Sequence, residues 1–305
     1  MSFIDKKGYL YGMAAVVIWS GFILVSRLGG ISPLSHYDVI AIRYVSCAAI
    51  LLPLWWFKFP FKLLDIRFIT AGIVGGLAYA LFAFKGFELA PASHAALLLP
   101  GLMPFFIIIL SAFFAGEHIR PERWIGVVVI SMGVGSLLWG KISNGASFST
   151  GHWNLMAAAL CWGVFSVLIK RWNITPWQAT VSLALVTCAL YLPVYLLFLP
   201  SNIDFSILST LSALADDILI QVFYQGVMAT IVQMLFYVKA VTLLGPSRMG
   251  TLMALVPLIA GFSGVLLFEE VLDIGLAMGL ILVCAGAAFA HTQFFKIKRS
   301  VPCPT

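Results

Sequence analysis

Few side chains in this sequence sit where they could do chemistry, and nearly all of those interrupt long apolar runs. Ser20, Tyr79, Ser93, His94, Tyr224, Gln225, Thr230, Gln233 and Tyr237 fall within such runs or at their ends. A polar group there has little water and must find a partner, which makes each one a candidate for ligand binding or for bridging helices. Gln225 and Gln233 lie about two turns apart and would share a face of a regular helix. Two amides on one face could hydrogen-bond a carboxylate or an amine, or tie neighbouring helices together. Trp19 and Trp162 stand in mid-run, not in the interfacial belts where tryptophan gathers. An indole at that depth walls a cavity and holds a ligand against its face, or else packs on small neighbours such as Gly72, Gly75 and Gly76. Pro100, Pro104 and Pro257 remove backbone donors from helices, and Pro104 and Pro257 are the candidate hinges. His94 is the candidate proton carrier, since its charge changes near neutral pH.

This inventory suits reversible recognition and lacks the parts of catalysis. There is no HExxH and no Walker A loop, and Gly245 to Gly250 has the wrong spacing around Ser247 for a GxSxG nucleophile. No TVGYG filter appears. Glu88, Glu117, Glu269 and Glu270 all lie at the ends of apolar runs, which argues against a mid-span carboxylate relay. Cys47, Cys161, Cys188, Cys284 and Cys303 form no CxxC pair, so no disulfide, metal site or cofactor is expected.

The elements that must position these residues are membrane helices. Hydrophobic residues make up 62% of the 305 and charged residues only 10%, too apolar for a fold with a water-exposed surface. The net charge of +6 is scattered between apolar runs, which excludes a nucleic-acid stripe and reads as orientation signals. Runs long enough to span a bilayer extend from Gly8 to Leu28, Val39 to Phe57, Phe68 to Phe87, Ser93 to Ala115 and Trp124 to Gly140. Five more run from Gly151 to Trp172, Trp177 to Leu199, Ile218 to Leu244, Ser247 to Phe268 and Ile274 to Phe295. With both termini cytoplasmic, every Lys and Arg falls on inner segments except Arg27, Lys85 and Lys141, with Arg43 just inside the second span.

The two sets of five are related. Gly8, Met13, Ala14, Ala15, Trp19 and Phe22 recur at the same spacing as Gly151, Met156, Ala157, Ala158, Trp162 and Phe165, with Arg27 matched by Lys170. Phe82, Lys85, Leu89 and Ser93 recur as Phe236, Lys239, Leu243 and Ser247, and Pro104, Glu117, Gly126 and Gly133 as Pro257, Glu270, Gly279 and Gly286. The second and seventh spans share little beyond Pro53 and Pro193. An odd number of spans per copy inverts the second copy, as in many secondary transporters, whose solute site lies where equivalent helices meet. The predicted organisation is a first repeat over 1–140, a connector over 141–150, a second repeat over 151–295 and a cytoplasmic tail over 296–305.

Short motifs in the same order carry a resemblance. They are Trp19-Ser20 with Trp162-Gly163, Arg43-Tyr44, Ala90-Pro91-Ala92-Ser93, Pro104 with Glu117, and Gly245-Pro246-Ser247 with Pro257 and Glu269-Glu270. Together they resemble the EamA-type ten-helix exporters of the drug/metabolite transporter superfamily. That resemblance implies export of amino acids or related metabolites, and one branch, the YddG-type exporters, handles aromatic amino acids. In that branch aromatic side chains of the third, fourth and sixth helices line the cavity. Tyr79 and Trp162 occupy comparable places here, whereas the fourth helix offers Leu97, Leu98, Leu99 and Met103.

The expectation is therefore an all-α membrane protein of ten transmembrane helices in a 5+5 inverted repeat. It would be a multi-pass protein of the cytoplasmic membrane that exports a small metabolite by alternating access. The substrate-binding candidates are Trp19, Ser20, Tyr79, Leu99, Met103, Trp162, Tyr224, Gln225 and Gln233, with Pro104 and Pro257 as hinges and His94 as a coupling residue. A non-transporting scaffold or accessory subunit is the alternative, and an intramembrane enzyme a weaker one. Small-xxx-small pairs, Gly72 with Gly76 and Gly275 with Gly279, could pack within one chain or join two copies in a homo-oligomer.

Overall fold

In the computed structural model the described residues are 3–114, 121–143, 148–203, 215–244, 249 and 252–291. The expectations for Glu117, for Gly245-Pro246-Ser247 and for the tail 296–305 lie outside them. The described chain is helical throughout, without a strand. In chain order the helices are α1 (Phe3–Ile31), α2 (His36–Phe57), α3 (Ile66–Leu89), α4 (Ala92–Phe114), α5 (Pro121–Ser143), α6 (Thr150–Arg171) and α7 (Pro176–Phe198). Next come α8, running through Ala215–Gln221, Val222–Val232 and Gln233–Leu244, then α9 (Val256–Leu267) and α10 (Ile274–His291). The first eight are long and apolar enough to cross a membrane, and α9 and α10 are shorter apolar helices.

Polar caps start α2, α3, α6 and α7 slightly ahead of their apolar runs. Ser35 and Asp38 close a capping box on α2, Ser149 and His152 on α6, and Thr175 and Gln178 on α7, with Pro176 in its first turn. Asp65 caps α3 and pairs with Arg67 at 2.7 Å. Large apolar side chains such as Phe57, Leu64, Phe198 and Leu266 stay exposed, the outer surface of a protein whose solvent is lipid.

The packing exchanges the two halves. α5 packs on α10, and α4 on α9. α1 packs on α8 and α9, as its copy α6 packs on α3 and α4. The α5–α10 contact brings backbone against backbone. A Cβ on Gly126 would lie 2.6 Å from the Gly286 carbonyl oxygen, and one on Gly133 would lie 2.9 Å from that of Gly279. Gly126 and Gly133 are the sequence equivalents of Gly279 and Gly286, so each glycine faces the copy of the other. That cross-pairing is local two-fold symmetry between antiparallel helices. The same logic places both small-residue stripes inside the chain. Gly72 and Gly76 take Val186 and Thr187 of α7, and Gly275 and Gly279 lie against α5.

Three helices contain wide π-helical stretches, at Ile73–Ala78 in α3, Ser182–Val186 in α7 and Val222–Val232 in α8. Those of α3 and α8 precede the equivalent residues Phe82 and Phe236. Side chains satisfy some carbonyls of these stretches: Tyr44 Oη donates to Gly76 O, and Thr230 Oγ1 to Gln225 O at 2.8 Å.

The glycine contact generates a prediction about stability. Gly126→Ala forces α5 and α10 apart and costs about 1–3 kcal/mol, read as a lower midpoint of thermal unfolding in detergent. Gly135→Ala, on the open face of the same helix with nothing within 4 Å, leaves that midpoint unchanged or slightly raised. Equal effects of the two would remove the close crossing as a stabilising contact.

Candidate functional site

At the centre of the bundle Trp19 of α1 and Trp162 of α6 meet with ring centroids 6.3 Å apart. Tyr79 of α3 lies 5.2 Å from the Trp162 ring, and Phe165 completes that side, also at 5.2 Å. These rings line a cavity of about 580 Å³. Pro100, Met103 and Pro104 of α4, Gln233 and Tyr237 of α8, and Val256 and Pro257 of α9 contribute to its walls. Equivalent residues of the two repeats, Trp19 with Trp162 and Pro104 with Pro257, thus face one space. In volume it suits a small solute, and its aromatic wall with few polar groups is the usual make-up of a small-molecule site.

The cavity runs from this aromatic cluster to Arg123, Lys170 and Pro176, at the start of α5, the end of α6 and the start of α7. The opposite end is bolted. Arg27 Nη1 of α1 donates to the carbonyls of Phe87 and Glu88 at 2.8 Å each, capping the end of α3. The Glu270 carboxylate, just beyond α9, accepts from the N–H groups of Ala92 and Ser93 and from the Ser93 hydroxyl at the start of α4. His94 Nδ1 lies 2.8 Å from His152 Nε2 of α6, and His152 Nδ1 accepts from the Ser149 N–H. Arg27 at the bolted end is the repeat equivalent of Lys170 at the other end, which lines the cavity.

Of the sequence candidates, Trp19, Tyr79, Met103, Trp162, Gln233, Pro104 and Pro257 come together around this space. Five others do not line it. Ser20 is buried and donates to the Val16 carbonyl one turn back at 2.9 Å. Leu99 is 1% exposed, within the core. Tyr224 Oη fits against Gly21 and donates to Ile18 O at 3.0 Å, fastening α8 to α1. Gln225 is fully buried, held by Arg43 and Ser26. The amide pair is not found in the cavity wall: Gln233 lines the cavity, while Gln225 is buried among α1 and α2 and spends its amide on Arg43 and Ser26. His94 lies away from the cavity, against His152.

The proline equivalents also differ. α4 passes through Pro104 without a break, whereas Pro257 stands in the first turn of α9, after a turn at Ala254 and Leu255. In the sequence Arg43 is a charge just inside the second span and half of the Arg43-Tyr44 motif, and not a binding candidate. It lines the cavity, with its guanidinium over the Phe22 and Phe84 rings at 5.0 and 5.9 Å. An arginine within an apolar run was the available signal.

Among the described residues no group of three or more His, Cys, Asp and Glu is placed to hold a metal ion. The arrangement provides aromatic faces, the Gln233 amide and one deep guanidinium, which suffice for binding a solute.

Comparison with known proteins agrees with this geometry. An aromatic amino acid exporter, YddG, from Ancylobacter novellus is 34% identical over 134 residues, which cover 43% of this chain and 46% of that protein. The chain thus spans less than half the length of that relative. A probable amino-acid metabolite efflux pump of Escherichia coli is 24% identical over 93% of this chain and 94% of its own. A solved crystal structure superposes with a TM-score of 0.61, covering 93% of this chain at 24% identity, and shares its fold. The EamA-like transporter family matches twice, over residues 6–139 and 149–292. With two copies of the family's unit filling most of its length, this chain belongs to the EamA-like transporters of the drug/metabolite transporter superfamily.

Proposed function

We propose that the chain is a secondary transporter that exports amino acids or related small metabolites across the cytoplasmic membrane by alternating access. The observation that carries this reading is the central cavity, walled by equivalent residues of both repeats, leading to one end of the bundle and bolted at the other. Inverted repeats commonly place a solute site at such a junction and expose it to either side by rocking one part against the other.

In this reading α9 and α10 complete ten spans and both termini lie in the cytoplasm. The charge bias then puts Arg123 and Lys170 on the cytoplasmic side, so the cavity faces inward and Glu270, Arg27 and the His94–His152 pair close the outer end. Pro104 and Pro257 serve as the points about which α4 and α9 bend. His94 lies in the closure and not in the cavity wall, so its protonation would act on the gate. The names of the two relatives support amino acids as the substrate class, and the aromatic wall of Trp19, Tyr79 and Trp162 supports side chains that stack.

Proteoliposomes holding only this protein, preloaded with amino-acid pools, accumulate labelled solute by counterflow, and Trp162→Ala or Tyr79→Ala raises KM about 2- to 10-fold through lost ring contact. Absence of counterflow from folded protein, across amino-acid, nucleoside and sugar pools, would return the chain to the scaffold reading. For the gate, Glu270→Gln weakens the carboxylate cap on α4, and amide exchange of the peptide containing Ala92 and Ser93 quickens about tenfold, as loss of a charge-assisted hydrogen bond would allow. Unchanged exchange would exclude Glu270 from the closure.

A further inference from the structure

We infer that Arg43 is the carboxylate receptor of the cavity, so that the transported solutes must carry a carboxylate and amines lacking one are rejected. The inference rests on the transport reading above and specifies its substrate class.

Arg43 lies two turns into α2, about 10 Å along the helix from its start, where a permanent charge is costly unless matched. Its visible partners are all neutral. Nη1 donates to Gln225 Oε1 at 2.8 Å, and the guanidinium carbon lies 5.0 Å from the Phe22 centroid, 5.8 Å from that of Tyr44 and 5.9 Å from that of Phe84. The ion pairs among the described residues join His36 and Lys85 to Glu88 and Arg67 to Asp65, so none neutralises Arg43.

Gln225 has the features of a positioning residue. It is fully buried, and its Nε2 donates to Ser26 Oγ at 2.9 Å, which turns Oε1 toward the guanidinium. One donor of the fork is thereby committed, while Arg43 remains part of the cavity wall. A guanidinium fixed by a neutral amide and set between aromatic faces is pre-organised for a planar anion. The rest of the described wall agrees in sign. Its other charged residues are Arg123 and Lys170, with no Asp or Glu. A solute carboxylate would supply the missing counter-charge, and its side chain would lie toward Trp19, Tyr79 and Trp162.

The test uses the full-length protein in proteoliposomes, with counterflow of labelled L-leucine and L-phenylalanine. The competitors are the decarboxylated analogues isoamylamine and phenethylamine, and the deaminated analogues 4-methylpentanoate and 3-phenylpropanoate. The carboxylates are expected to compete and the amines not to. Arg43→Gln is expected to raise KM about 10- to 100-fold, the range for a lost charge-assisted contact, and Arg43→Lys to recover part of it. Gln225→Glu, with folding checked by its thermal unfolding midpoint, keeps Arg43 paired but occupies the receptor from within, so KM is again expected to rise at least tenfold, in line with such a contact. Amines that compete as well as the acids, or an unchanged KM in Gln225→Glu, would overturn the inference and leave transport standing. No flux of either labelled amino acid would count against amino-acid transport itself, and the receptor assignment would fall with it.

Discussion

The antiparallel contact of α5 with α10 brings two backbones closer than any side chain would permit, and the placement of everything else depends on it. Gly126 faces Gly286 and Gly133 faces Gly279, each the sequence copy of the other's partner. Such cross-pairing requires a two-fold axis between the helices. Any residue pair near that axis, one from each repeat, must then meet or face a common space. Trp19 and Trp162 meet, and Pro104 and Pro257 share the cavity wall. The site is therefore a consequence of symmetry, built from whatever the repeated helices carry at their midpoints.

The symmetry is not complete, and the departures are informative about conformation. Arg27 clasps the end of α3 at the bolted end, while its copy Lys170 lines the other end of the cavity. α4 is continuous through Pro104, while α9 is interrupted just before Pro257. A structure with two identical halves in identical environments would be closed at both ends or open at both. Unequal use of equivalent residues closes one end only, and exchange of the two arrangements would reverse the access.

The helices and the repeat were legible in the sequence because both rest on local composition: apolar runs of spanning length, and residue types recurring at fixed spacing. Trp19 and Trp162 could be placed in mid-span by the same reasoning, whereas Tyr79 is pointed to by the family resemblance. What could not be read depended on partners far along the chain. Gln225 is taken up by Arg43 and Ser26 while Gln233 lines the cavity, a division that nothing in their spacing announces. His94 finds His152, and Tyr224 fits a gap left by Gly21, contacts that only the folded packing defines. Arg43 reads in the sequence as a charge just inside a span, and its hydrogen-bond partner Gln225 lies on a helix of the opposite repeat.

The most direct measurement is the sidedness of access to the cavity. A single cysteine at Met103, in a chain with its five native cysteines replaced by serine or alanine, is challenged with a membrane-impermeant thiol reagent from each face of the membrane in turn. Alternation predicts labelling from both faces, with solute shifting the balance between them. Labelling from one face alone, with and without solute, would contradict it and leave a cavity that never changes sides.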